Sequence, residues 1–205
     1  MPEAPIAAVV LAAGLSTRMG TQKLLVETDN IPVVRHTVGH LVSSDVDTIV
    51  VVTGKDQEEV RDALAPFGSR ITFVHNPHFA SGMTSSIQAG VRSVATQDSA
   101  IMICLGDMPH IPSSGYNDLI RLYHHATLSD PSAIVYPLVA GKKGNPVIFS
   151  PAHRAAILAH VDPEGCRDLI RQQAQHTQAL ETQAWYFVAD IDTPGDLIKW
   201  SSYVT

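Results

Sequence analysis

The chain has 205 residues, 45% of them hydrophobic and 17% charged, with a formal net charge of −6 at pH 7. Such a composition builds a globular core and excludes a disordered chain, while the acidic balance excludes a sequence-independent grip on DNA or RNA, which requires a cationic face. No apolar run reaches the roughly 20 residues of a membrane span, and two cysteines, Cys104 and Cys166, provide no disulfide framework.

The N-terminal "MPEAPIAAVVLAAG" has Glu3 where a signal peptide carries cations, so a cytoplasmic location with reduced thiols is expected. Ile6–Ala12 reads as a first strand. It leads into "VVLAAGLSTRMGTQKLL", where Gly14 permits a tight turn and Ser16, Arg18 and Lys23 follow among small residues. Backbone N–H groups in such a loop form anion-binding nests. Arg18 offers a bidentate fork and Lys23 a point charge, both suited to phosphate. The dinucleotide fingerprint is absent, because Ser16 stands where its second glycine belongs. Gly20 and Lys23 lie too far apart for a P-loop. A surface loop with two ordinary cations is the competing reading.

Thr48–Val52 is the next strand. Asp56-x-x-Glu59 ahead of Val60, Ala63 and Leu64 predicts a capping box on a helix. Ile71–Val74 follows as a strand. "NPHFASGMTSSIQAG" then places Ser81, Gly82, Thr84, Ser85 and Ser86 at a helix start, with Met83, Ile87, Val91 and Val94 as its core side. Those hydroxyls either contact a base and sugar or cap the helix. Strand Ala100–Leu105 ends in "GDMP". Asp107, at a strand end, suits a hard cation better than packing, although a turn role is the commoner use of such a residue.

Tyr116, Leu119, Ile120 and Tyr123 share one helical face, and His124-His125 is expected on a solvated one. Strand Ala133–Pro137 leads to "GKKGNPVIF", where Lys142 and Lys143 are either site cations or solvated lysines of a hairpin turn, and then to strand Val147–Phe149. Ser150-Pro151, Asp162-Pro163 and Thr193-Pro194 each set a cap residue before a proline at the favoured first helical position. Trp185–Val188 is predicted as the last strand. In the following "VADIDTPGDL", Asp190 and Asp192 project to one side of an extended segment, with simple helix capping as the competing reading of either, and Asp196 complements a helix N-terminus.

Continuous apolar strands alternating with amphipathic helices specify an α/β three-layer sandwich on a mostly parallel sheet. With no repeat or linker, residues 1–205 are expected to form one domain. Ligands of such sheets collect at the carboxyl ends of strands. That is where "AGLSTRMGTQK", "GDMPHIP" and "DIDTPGD" lie.

Leu11–Gly20 with Lys23-Leu24-Leu25 resembles the signature of MobA-like nucleotidyltransferases. "LGDMP", "GMTSSIQAG", "GNPVIF" and "DIDTPGDL" follow in that family's order across nearly the whole chain. Within the group the sequence looks most like the molybdenum cofactor cytidylyltransferases. The resemblance implies transfer of a cytidylyl group from CTP to the phosphate of molybdopterin, with Mg²⁺ as cofactor and pyrophosphate as leaving group. A molybdoenzyme is a possible partner for the product.

By position, Leu11, Ala12, Ala13, Gly14, Ser16, Arg18 and Lys23 would bind nucleotide, as would Ser81, Gly82, Ser86 and Asp107. Arg18, Lys23 and Asp107 would be catalytic, and Asp107 and Asp192 would hold Mg²⁺. Gly144, Asn145 and Pro146 would line the acceptor side. Ala13, where users of guanosine triphosphate read glycine, favours CTP. Asn145 replaces a frequent histidine, and in "VDPEGCRDLI" only Gly165 and Arg167 match the acceptor motif, with Cys166 in place of alanine. The alternatives are a related transferase acting on a sugar or alcohol phosphate, a dinucleotide-binding oxidoreductase, and a non-catalytic cofactor carrier.

Overall fold

The structure, a computed structural model, describes residues 3–14 and 22–201. Strand β1 (Ile6–Ala12) is followed by a small hairpin of β2 (Glu27–Thr28) and β3 (Ile31–Pro32). Next come α1 (Val33–Val42), β4 (Thr48–Thr53), α2 (Gln57–Leu64), β5 (Thr72–His75), α3 (Met83–Ser93) and β6 (Ala100–Leu105). The second half carries α4 (Ser113–Thr127), β7 (Ile134–Val139), β8 (Lys142–Lys143), β9 (Val147–Phe149), α5 (Arg154–Ala159), α6 (Arg167–Gln172), β10 (Thr177–Thr182) and α7 (Pro194–Ser201).

The main sheet has the order β10-β7-β9-β6-β1-β4-β5, with β8 paired to β7. β1 runs parallel to β4 and β6, β5 parallel to β4, and β10 parallel to β7; β9 is antiparallel between β6 and β7. The apolar runs are continuous because both faces of the sheet are covered. Ile6, Ala8, Val10 and Ala12 of β1 join a core with Val34 and Leu41 of α1, Val60 of α2 and Leu119 and Tyr123 of α4. Ala7 and Val9 enter a second core with Ile87 and Val91 of α3, Ile157 of α5 and Leu169 of α6. Each face of one strand thus feeds a separate helical layer, and the expected three-layer sandwich is formed. Among the described residues, no helix is long and apolar enough to cross a membrane.

Several local expectations need correction. Trp185–Val188 is a 3₁₀ turn, and the edge strand is Thr177–Thr182 instead. The edge strand has no fully buried residue and carries exposed Gln178 and Glu181, so it lacks the apolar run that marks the inner strands. Val147–Phe149 is a strand as expected, antiparallel to both neighbours within the mostly parallel sheet. Asp56 does not cap α2 with its side chain; its carboxylate accepts a 2.6 Å bond from Gln22 Nε2. No helix starts at Pro163, and α6 begins at Arg167. Met83 is 43% exposed rather than part of the core. His125 is solvated as expected, whereas His124 is half-buried with Nε2 3.8 Å from Glu3. The lysines of "GKKG" are exposed in a hairpin whose turn uses Ala140 and Gly141 at positive φ. Both cysteines are buried free thiols.

Candidate active site

The register that pairs Leu11 with both Val52 and Leu105 brings the carboxyl ends of β1, β4 and β6 to one edge of the sheet. Just past β6, the Gly106 N–H donates to the Leu11 carbonyl at 3.1 Å, and the Thr37 hydroxyl donates to the Gly106 carbonyl at 3.0 Å. A Cβ on Gly106 would lie 2.9 Å from the Leu11 oxygen, so the chain can leave β6 this close to β1 only through glycine. The next residue, Asp107, is therefore delivered at the strand end with 8% of its surface exposed.

Lys23 begins a 3₁₀ turn (Lys23–Leu25) that is anchored by the buried side chain of Leu24. Its ammonium pairs with Asp107 Oδ2 and lies 2.6 Å from Asp192 Oδ1. Asp192 arrives from the far end of the chain on a fixed backbone. Ile191 is fully buried beside Ala189 and Val33. The Ile191 N–H donates 3.0 Å to the backbone carbonyl of Asp107. The two carboxylate-bearing segments are thus hydrogen-bonded to each other before their side chains meet at Lys23.

Burial pushes the Asp107 carboxyl above its ordinary range; the Lys23 ammonium opposes this and the charge of Asp190 adds to it. Burial also works against the Lys23 ammonium, but the charges and hydrogen bonds of Asp107 and Asp192 outweigh it and the pKa is raised. Lys23 is therefore a cation at neutral pH. Asp107 Oδ1 is buried without a hydrogen-bond partner. An ionised oxygen in that position is costly unless a cation meets it. Among the described residues no group of three or more His, Cys, Asp or Glu side chains forms a metal cluster. Two carboxylates, with water and phosphate oxygens filling the other positions, are nevertheless a usual donor set for Mg²⁺. Asp107 and Asp192 fit it.

A cleft of about 290 Å³ opens beside this pair. Leu11, Ala13 and Gly14 border it together with Lys23, Gly82, Ser86 and Asp107, so seven of the sequence-selected residues come together. Ala12 is 2% exposed and turns into the core, and the exposed Ser81 gives its hydroxyl to the His78 carbonyl at 2.7 Å, so neither side chain borders the cleft. Ser16 and Arg18 lie outside the described residues. The helix-start hydroxyls are partly committed to structure, since Asn76 Nδ2 donates to Ser85 and Ser86 and the Ser85 hydroxyl meets the Gly82 carbonyl at 2.8 Å.

Gly144, Asn145 and Pro146 do not line the cleft. Their turn is held by bonds from Gly144 N to the Pro137 carbonyl and from Asn145 N to the Phe187 carbonyl, both 2.9 Å, and the Asn145-Pro146 peptide is cis. It buttresses the 185–192 segment that carries Asp192. Gln22, Leu24, Phe79, Ala80, Met83 and Leu105 also line the cleft, beyond the sequence-selected residues. Phe79 and Met83 flank Gly82 closely enough to have been found. Gln22 was not legible, because the Asp56 carboxylate that fixes its amide is 34 residues away.

The geometry can be set beside known proteins. A family model described as the MobA-like NTP transferase domain matches residues 8–180. The molybdenum cofactor cytidylyltransferase of Escherichia coli (strain K12) is 25% identical over 190 residues, which cover 93% of this chain and 92% of that protein. A nucleotidyl transferase from Methanothermobacter thermautotroptrophicus superposes with a TM-score of 0.82 over 97% of both chains at 23% identity. Rv0371c from Mycobacterium tuberculosis H37Rv, solved in complex with manganese, gives 0.71 over 95% of this chain and 97% of that one at 20% identity. These two share the fold. The match over most of the chain, on a sheet whose strand ends gather the signature residues, shows that the chain belongs to the MobA-like NTP transferase family and is a nucleotidyltransferase by descent.

Proposed function

We propose that the protein transfers a cytidylyl group from CTP to the terminal phosphate of molybdopterin and releases pyrophosphate. One observation carries this reading: Asp107 and Asp192, far apart in sequence, converge on Lys23 at the wall of the cleft while Asp107 Oδ1 stays buried and unpartnered. The reaction brings two anions together, so it needs positive charge and fixed geometry more than it needs a base.

Leu11, Ala13 and Gly14 on one side and Gly82 and Ser86 on the other would hold the nucleotide, and Ser16 and Arg18 would contribute to the same binding. Asp107 and Asp192 would hold Mg²⁺, which when bound neutralises charge at the α-phosphate. Lys23 would then face the phosphates and stabilise the leaving pyrophosphate. A phosphate oxygen of the acceptor attacks the α-phosphorus and the bond to the bridging oxygen of the β-phosphate breaks. The acceptor is already ionised, so no general base is required. Gly144, Asn145 and Pro146 would stand on the acceptor side, behind the segment that carries Asp192. The full-length likeness to a molybdenum cofactor cytidylyltransferase and the alanine at position 13 support CTP and molybdopterin as the pair. The manganese in a relative of the same fold supports a divalent cation.

The test is a substrate panel. The protein is incubated with Mg²⁺, with molybdopterin or a sugar phosphate as acceptor, and with each of the four ribonucleoside triphosphates in turn, and pyrophosphate is measured. CTP is expected to react fastest. Faster release from GTP overturns the base assignment. Release that requires a sugar phosphate instead of molybdopterin overturns the acceptor.

A further inference from the structure

Asp196 is not at the cleft, yet its carboxylate governs the backbone that presents Asp192. Asp196 Oδ2 accepts hydrogen bonds from the Asp192 N–H at 3.2 Å, the Thr193 N–H at 2.8 Å and the Thr193 hydroxyl at 2.8 Å. Thr193 Oγ1 in turn accepts from the Asp196 N–H at 3.3 Å. The reciprocal pair between Thr193 and Asp196 is a capping box at the start of α7. The bond to the Asp192 N–H is not part of that box. It reaches one residue further back and holds the peptide whose Cα bears the carboxylate at the site. On the other side of that residue the Ile191 N–H is fixed to the Asp107 carbonyl at 3.0 Å. Asp192 is thus clamped at consecutive backbone N–H groups, one tied to the other carboxylate-bearing residue and one to Asp196.

We propose that Asp196 is a positioning residue, setting the Asp192 carboxylate at the distance from Asp107 that a divalent cation requires. The inference rests on the reading of Asp107 and Asp192 as the metal-holding pair. Asp196 does not touch the cation; its effect passes through one backbone hydrogen bond. Groups that orient metal ligands typically change metal affinity by about 10–100-fold when removed. A cap residue alone changes helix stability and leaves a ligand on a neighbouring segment where it was.

The experiment titrates Mn²⁺ by electron paramagnetic resonance in the presence of a CTP analogue with a non-cleavable α,β-methylene bridge, and records the melting temperature of each variant. Asp196→Ala is expected to weaken Mn²⁺ binding about 10–100-fold. Asp196→Asn retains an oxygen acceptor and is expected to restore binding to within about threefold of the parent, which separates geometry from charge. Thr193→Val breaks both hydroxyl bonds of the capping box but leaves Asp196 free to accept from the Asp192 N–H. It is expected to lower the melting temperature and to leave Mn²⁺ affinity within about twofold. Equal weakening by Thr193→Val and Asp196→Ala, or unchanged affinity in Asp196→Ala, overturns the proposal. Asp192→Asn distinguishes the two levels. If it binds Mn²⁺ like the parent, the metal role of Asp192 falls and the positioning role with it. If it loses Mn²⁺ while Asp196→Ala does not, only the positioning role falls.

Discussion

Replacing Gly144 with alanine tests whether the turn at 144–146 braces the site. A Cβ at this position would lie 2.3 Å from the Phe187 carbonyl oxygen and 2.9 Å from its carbon. Ordinary C···O contacts settle at about 3.3–3.6 Å, so the carbonyl must retreat by about 1 Å. It belongs to backbone and cannot rotate aside as a side chain would. Overpacking of this kind costs about 1–3 kcal/mol. The retreat also stretches the 2.9 Å bond from the Asn145 N–H to the same oxygen, worth about 0.5–1.5 kcal/mol. A loss of about 2–4 kcal/mol follows, below the 5–15 kcal/mol of a typical domain, so the variant folds. Its melting temperature should fall by about 5–15 °C. Phe187 lies five residues before Asp192, and a misplacement of about 1 Å at a reacting group can cost about 10²-fold in rate. The assays are thermal unfolding and pyrophosphate release, with Gly141→Ala as control. Gly141 sits at φ +80° with open space around its missing Cβ, so its variant is strained at the hairpin but leaves turnover intact. A Gly144→Ala protein that melts within 2 °C of the parent, well inside the shift expected from the clash, and turns over normally would refute the bracing role.

Lys23→Ala and Asp107→Ala should each lower pyrophosphate release by about 10²–10³-fold or more, as loss of an electrostatic stabiliser does, while circular dichroism shows the fold retained; near-parental rates in either remove Lys23 and Asp107 from the mechanism. Burial raises the Cys166 thiol from its ordinary 9.0 to about 12, so the folded chain keeps a proton there that the unfolded chain has lost. Stability is then fully present below pH 9 and declines as pH rises toward 12, by about 1.4 kcal/mol per pH unit for this group. Denaturant unfolding of Cys166→Ala, compared with the parent at pH 8 and 10, checks it: the variant should lose less stability over that interval.

The layer architecture was legible because covered strands leave little choice of residue. Ile6–Ala12 and Ala100–Leu105 are apolar at nearly every position, and the structure reproduces both at those bounds. The edge was not legible for the same reason in reverse. Thr177–Thr182 is at most half-buried, so polar residues interrupt it and its propensity signal fades. Trp185–Val188 misled because a short apolar run has no period of its own. Only Phe187 is deeply buried there, and the segment coils as a 3₁₀ turn to hand its carbonyl to Asn145. Asp56 misled through competition. Its spacing to Glu59 fits a helix cap, but the Gln22 amide, brought near by the fold, takes the carboxylate instead.

The carboxylates themselves are marked in the sequence, each after an apolar stretch, but the group that unites them is not marked as such. Motif spacing points to Lys23 only as a cation for phosphate, whereas the fold also sets it between Asp107 and Asp192. Two carboxylates forced together in a partly buried site repel each other, at an effective dielectric near 20, by about 4 kcal/mol at 4 Å. The side chains of Asp107 and Asp192 are 11% and 27% exposed, so solvent relieves only part of that. An ammonium between the carboxylates turns the repulsion into two attractions. The pair can then be held by backbone bonds at Ile191 and Asp192 without the local fold opening. This accounts for a lysine where an arginine would serve phosphate equally well. A point charge on a flexible four-carbon stem can leave one partner for another, whereas a planar fork set bidentately on a carboxylate is fixed by its geometry. Lys23→Arg should therefore keep the melting temperature near the parental value while slowing pyrophosphate release, and a variant as fast as the parent would show that the mobility of Lys23 plays no part.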